Sequence, residues 1–153
     1  MEIVIEQLPR MRVGTVRHVG PFDQIGASFQ RLGALAGAAG LFRAPGAVML
    51  AIFYDDPRVT PANELRSDAA IVVNEGTRLP EGLTEQVVPG GRYARGTHIG
   101  SFEGLPTAWP DFIASLGSSG YRPGTGPALE VYRSDMATTP KEELRTDLYM
   151  PLD

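Results

Sequence analysis

The sequence contains no cysteine. A disulfide framework, a thiolate nucleophile and a cysteine-based metal centre are therefore excluded. Histidine is nearly as scarce, with only His18 and His98, so a zinc site is not expected and no metal or other cofactor is called for. No run of about eighteen apolar residues exists to span a membrane. Basic residues are in the minority, 14 Lys and Arg against 18 Asp and Glu, for a net charge of −4. They also sit beside acids, as in Glu64/Arg66 and Glu143/Arg145. A nucleic-acid surface needs a basic face to neutralise phosphates, so direct nucleic-acid binding is not expected. No helix-turn-helix pattern is present; a regulator built on this chain would carry its DNA-reading part elsewhere. The opening residues Met1 to Glu6 alternate and carry acid, unlike the basic-then-apolar start of a signal peptide, and a cytoplasmic protein is expected.

What the sequence does have is a repeat. P-A-N-E-L-R-S-D from Pro61 to Asp68 returns as P-K-E-E-L-R-T-D from Pro140 to Asp147, an offset of 79. His18-Val19-Gly20-Pro21-Phe22 is answered by His98-Ile99-Gly100-Ser101-Phe102 at an offset of 80. Pro9, Arg12, Gly40 and Gly46 likewise recur as Pro89, Arg92, Gly120 and Gly126. Self-similarity at one period means two copies of one unit. The copies are read as 1–74 and 83–153, joined by the Gly- and Pro-containing connector 75–82, within a single domain covering 1–153. A connector that short favours packed halves.

The hydrophobic period then assigns elements. Ile3 and Ile5 alternate with acids, as in a half-buried strand, and Met11 to Val19 reads as a second strand with Val13, Thr15 and Arg17 on one face. Gly20-Pro21 opens a helix whose stripe is Phe22, Ile25, Phe29, Leu32 and Leu35. Its Gly-rich end either admits a close neighbour or is loosely packed. Val48 to Tyr54 and Leu65 to Val73 are strands. In the second copy Leu83 to Val88 and Gly91 to Gly96 are strands, followed by a helical stripe of Phe102, Leu105, Trp109, Phe112 and Leu116. Pro106 and Pro110 interrupt that stripe. Helix interiors do not accommodate proline, so the regular helix is expected to begin near Thr107, with Pro110 in its first turn. Ala128 to Arg133 and Arg145 to Pro151 are the last strands. The fold class is α+β: two tandem modules of antiparallel sheet, each with one main helix.

Differences between the copies expose the candidate site. Glu130 stands where the first copy has Ala51, in the middle of a strand apolar on both faces. A buried, unpaired carboxylate costs several kcal/mol unless a partner compensates. Either Glu130 pairs with a nearby arginine or faces solvent, or it serves a ligand; the last is favoured. Tyr93, Trp109, Phe112, Tyr132 and Tyr149 all fall in the second copy. Aromatic walls around one acid suit a flat, lipophilic cation. His18 and His98 occupy equivalent corners, as a structural role predicts. Glu64/Arg66/Asp68 and Glu143/Arg145/Asp147 recur in both copies and read as structural. Ser67 and Ser101 lack a companion histidine in a nucleophile pattern. Gly90-Gly91 and Gly124-Thr125-Gly126 lack the context of a phosphate loop and read as turns.

With Tyr54-Asp55-Asp56-Pro57, Pro89-Gly90-Gly91-Arg92-Tyr93-Ala94, Gly126-Pro127-Ala128-Leu129-Glu130-Val131-Tyr132 and Leu144-Arg145-Thr146-Asp147-Leu148-Tyr149-Met150-Pro151 in this order, the whole chain resembles the GyrI-like small-molecule-binding family. The family includes effector-binding domains of AraC-type and MerR-type multidrug regulators and a stand-alone DNA gyrase inhibitor. The resemblance implies two strand-helix-strand-strand modules about a pseudo-two-fold axis, with a ligand cleft between their helices. An acidic residue of the Glu-x-Tyr strand would meet cationic, lipophilic ligands, which carries over to Glu130; Trp109 and Tyr149 match pocket aromatics more loosely. Pro106 and Pro110 depart from the family's usual pattern.

Three functions follow as expectations. The first is a binding protein for hydrophobic, aromatic and cationic small molecules, a multidrug-type sensor or sequestering protein. The second is a hydrolase of strained cyclopropane-bearing electrophiles using Glu130 as its catalytic acid or water-activating group. The third is a module that binds a protein partner such as DNA gyrase or a regulator.

Overall fold

A computed structural model describes residues 1–153. The chain resolves into two compact units, one of residues 1–8 with 91–153 and the other of residues 9–90. Each contains a four-stranded antiparallel sheet and one main helix, so the α+β class holds.

In the unit of residues 9–90 the strands are β2 (Met11–Val19), β3 (Met49–Phe53), β4 (Arg66–Val72) and β5 (Thr84–Val88), with helix α1 (Gly26–Ala38). β4 pairs with both β2 and β3, and β5 pairs with β2. The other unit holds β1 (Val4–Leu8), β6 (Gly91–Ile99), β7 (Ala128–Tyr132) and β8 (Arg145–Pro151), with helix α2 (Leu105–Ser118). Here β8 pairs with both β6 and β7, and β1 pairs with β6.

Strands β1 and β5 are therefore exchanged relative to the copies read from the sequence. β1, from the start of the chain, joins β6, and β5 joins β2. The links that carry the chain across are short, Pro9-Arg10 and Pro89-Gly90. Two-residue hairpins use turns with positive φ at the first loop position, which the proline ring forbids. A strand followed at once by proline does not fold back on its successor.

Each helix covers one face of its sheet. From α1, Leu32 and Ala36 are fully buried on Ala69, Ile71 and Val73, with Phe29 flanking. From α2, Leu105, Ala108, Phe112 and Leu116 lie on Ala94 and Leu148. Burying side chains of this size contributes roughly 2–3 kcal/mol each. Phe112 occupies the place of Leu32, and Gly96 that of Val16. A Cβ on Gly96 would stand 2.6 Å from the Phe112 ring, so the smaller strand residue makes room for the larger helix residue.

Two expectations for the helices need correction. Pro21 precedes a single 3-10 turn, Phe22–Gln24, and α1 starts only at Gly26. Helix α2 starts at Leu105, not Thr107: Gly104 precedes it, Pro106 lies in the first turn and Pro110 inside the helix. Pro106 has no N–H to waste in a turn where none is needed. Pro110 lacks the N–H that would bond the Pro106 carbonyl, but both prolines lie on the exposed side of the helix. The Leu105, Ala108, Phe112 and Leu116 stripe outweighs the proline cost of roughly 3 kcal/mol. No helix is long and apolar enough to cross a membrane.

Candidate functional site

Register places Glu130 first. In the β7–β8 ladder Glu130 opposes Leu148 and Leu129 opposes Tyr149. Glu130 therefore shares the helix-covered face with Leu148, and Leu129 and Tyr149 share the opposite face. Helix α2 seats Phe112 on this face, and Trp109, three residues earlier, lies half-buried at its flank.

Glu130 is 7% exposed. The Trp109 indole N–H donates to its Oε1 at 2.6 Å, and the Tyr132 hydroxyl donates to Oε2 at 2.8 Å. No lysine or arginine pairs with it. Burial pushes its carboxyl above the ordinary value, opposed by these two donors and by the charge of His98. Burial also raises Tyr132, well above an ordinary phenol, with the neighbouring carboxylate adding to the effect. Two donors stabilise an anion, yet no lysine or arginine supplies a counter-charge. Each carboxylate oxygen retains acceptor capacity beyond the one bond it makes.

Aromatic rings extend outward from the acid. Trp109 meets Phe112 edge-on, 5.7 Å between centroids. Phe102 meets Tyr132 in the same manner at 5.4 Å and is 37% exposed. Sequence reasoning placed Phe102 in the helical stripe and missed its place against Tyr132. Its counterpart Phe22 packs on Phe53 at 4.8 Å, and the equivalence of these pairs was readable from the repeat.

The six candidate residues thus divide. Glu130, Trp109, Tyr132 and Phe112 come together; Tyr149 and Tyr93 lie on the other face of the sheet, packed edge-on at 6.2 Å. The cause is the strict alternation of β8, which turns Tyr149 away when Leu148 faces the helix.

On that other face Tyr149 belongs to a charged network. Its hydroxyl accepts from Arg133 Nη2 at 2.8 Å and donates to Glu6 Oε2 at 3.1 Å. Asp147, 1% exposed, is the hub. Arg133 Nε donates to it at 2.9 Å, Arg145 Nε at 3.0 Å and the Thr97 hydroxyl at 2.9 Å. These donors hold the Asp147 carboxyl below the ordinary range although burial alone would raise it. In the other unit Asp68 is held by Arg17 Nε and by the Tyr54 hydroxyl, each at 2.6 Å. The recurring acid-arginine motif ends in this buried aspartate, and its leucine, Leu65 or Leu144, is buried as well. The two histidines brace their corners alike: His18 Nε2 donates to the Pro21 carbonyl at 2.8 Å, and His98 Nε2 to that of Ser101 at 2.9 Å. No three His, Asp or Glu side chains converge as a metal site.

The chain belongs to the GyrI-like small molecule binding domain family, whose description matches residues 1–153. It is 33% identical over 139 residues to DNA gyrase inhibitor 2 of Dickeya dadantii (strain 3937), covering 88% of this chain and 87% of that protein. Its fold is similar to the EcmrR C-terminal domain, with a TM-score of 0.76, 18% identity, and coverage of 99% of this chain and 97% of that one. It is also similar to SAV2435 bound to tetraphenylphosphonium, with a TM-score of 0.74, 13% identity, and coverage of 100% and 94%. At such identities these two structures establish the fold alone.

Proposed function

We propose that this chain binds lipophilic aromatic cations at Glu130, as a multidrug-type sensor or sequestering protein. The observation that carries the proposal is a buried carboxylate with two hydrogen-bond donors and no lysine or arginine partner. A desolvated anion of this kind gains most from a counter-charge brought in by a ligand. Trp109, Tyr132, Phe112 and Phe102 offer ring faces and edges to an aromatic cation. Tetraphenylphosphonium, bound by the structurally similar SAV2435, is a ligand of this chemistry.

The test is a fluorescence titration with a planar cationic dye, comparing wild type with Glu130→Gln and weighing the dye by mass spectrometry afterwards. Binding by the wild type, loss of about tenfold or more in the variant, and an unchanged dye are expected. Equal losses for the cation and a neutral compound of the same shape would mean damaged packing and sink the proposal.

Two further readings have support. Burial biases Glu130 toward its protonated form, which suits a proton donor, so a hydrolase would reveal itself by altered ligand mass. The similarity to DNA gyrase inhibitor 2 favours a gyrase-binding surface. That interaction would survive Glu130→Gln.

A further inference from the structure

The face of the β1–β6–β8 sheet opposite α2 carries a groove of about 350 Å³, lined by Glu2, Val4, Arg95, Thr97, Ile99 and Arg145 among others. That volume is at the lower end of small-ligand sites. Met1, which packs on the α2 side, closes one end; Val4 opposes Arg95, Thr97 opposes Asp147 and Ile99 opposes Arg145 in the ladders, so these side chains share the other side.

Beneath the groove lies a cluster of arginines and acids. Arg95, Arg133 and Arg145 surround two acids, Glu6 and Asp147. Arg145 commits Nε and Nη2 to Asp147 and keeps Nη1. Arg95 Nε stands 2.6 Å from Glu6 Oε1, outside hydrogen-bond geometry, as an ion pair. Its Nη1 donates to Thr97 at 3.3 Å, leaving Nη2. Asp147 is held below the ordinary carboxyl range, and with Glu2 in the lining the three arginines face three acids. The remaining acid is Glu2, exposed among the lining residues. Val4 and Ile99 add apolar surface, and Ile99 is 59% exposed.

We propose that this groove binds a small organic carboxylate with an apolar body: the acid group between Arg95 and Arg145, the body on Val4 and Ile99. Guanidinium nitrogens with free donors match a carboxylate in charge and geometry. Two arginines against one acid in the lining favour an anion, and the aliphatic pair favours a hydrocarbon over an inorganic ion. Such a site would be separate in chemistry and position from the Glu130 carboxylate.

Titration calorimetry with benzoate tests it on the full chain, with inorganic phosphate as the comparison. Wild type is expected to bind benzoate saturably and phosphate several-fold more weakly. Ile99→Glu, which sets a like charge against the ligand at an exposed position, should weaken benzoate by about tenfold. Glu2→Gln, also exposed, should tighten it by about two- to fivefold. Circular dichroism is expected to show both variants folded. Glu130→Gln should leave benzoate affinity unchanged whether or not cationic dye binding is lost. Absence of saturable benzoate binding, phosphate binding as tight as benzoate, or indifference to both substitutions at Ile99 and Glu2 would overturn the proposal.

Discussion

Three of the places where the helix-covered faces of the two units differ lie around the acid. In residues 9–90 they are Phe29, Ala51 and Phe53; in the other unit they are Trp109, Glu130 and Tyr132. Each of these three changes adds a polar group, and the three added groups bond to one another. The supporting frame changes little. A phenylalanine of the preceding 3-10 turn packs on the strand's last aromatic in both units, and a histidine braces the corner in both. One scaffold therefore accepts an apolar core or a carboxylate with its own donors. A carboxylate alone, or donors alone, would each leave buried polar groups unsatisfied.

The strongest way to break this comparison is Ala51→Glu. Ala51 is fully buried, and neither Phe29 nor Phe53 can donate a hydrogen bond. A loss of about 4 kcal/mol in denaturant stability is expected at neutral pH. Adding Phe29→Trp and Phe53→Tyr should restore part of it, and no recovery would show that the donors do not support the acid.

The opposite faces sharpen the contrast. Asp147 has three arginines within 4 Å, whereas Asp68 has Arg17 and the Tyr54 hydroxyl. Removing Asp147 strands more charge. Asp147→Ala is expected to cost about 3 kcal/mol, discounted for the partly exposed arginines, and Asp68→Ala about 2. Urea unfolding of the two variants measures the order, and a larger cost at Asp68 would contradict it. The Asp147 contribution is present above the ordinary carboxyl pKa and is lost as pH falls through its lowered one.

Glu130 runs the other way. Its raised carboxyl means that the folded protein holds this proton more tightly than the unfolded chain does. The resulting stability is complete below the ordinary pKa and is lost as pH rises through the raised one. Glu130→Gln has no such slope. It should be about 1 kcal/mol more stable than wild type at neutral pH and equal to it near pH 4. Thermal melts across this range provide the check. The smallest expected effect is Tyr132→Phe, about 1 kcal/mol or less from one lost donor, with Phe53→Tyr no better than neutral.

Much of this was legible beforehand because repeat and alternation are local signals. Met11 to Val19 and Arg145 to Pro151 were readable to the residue, and the Ala51/Glu130 difference pointed to the acid directly. Other features depended on pairing. The partners of β1 and β5 are set by chain-wide strand choice, although Pro9 and Pro89 hinted that neither closes a hairpin. Tyr149 and Tyr93 shared a copy with Glu130 but not a face, and only the β7–β8 register separates them. Helix α2 ran through Pro110 because tertiary burial outweighed propensity. The arginine cluster around Asp147 was invisible while its members were scattered from Glu6 to Tyr149.

Trp109 is the chain's single tryptophan, and its N–H rests on Glu130. Its intrinsic fluorescence therefore reports on the candidate site. The most direct test titrates wild type and Glu130→Gln with tetraphenylphosphonium while following that emission. A saturable change in the wild type, weakened about tenfold or more in the variant, is the predicted result. Equal titration of both proteins, or none in the wild type, would contradict a cation site at Glu130.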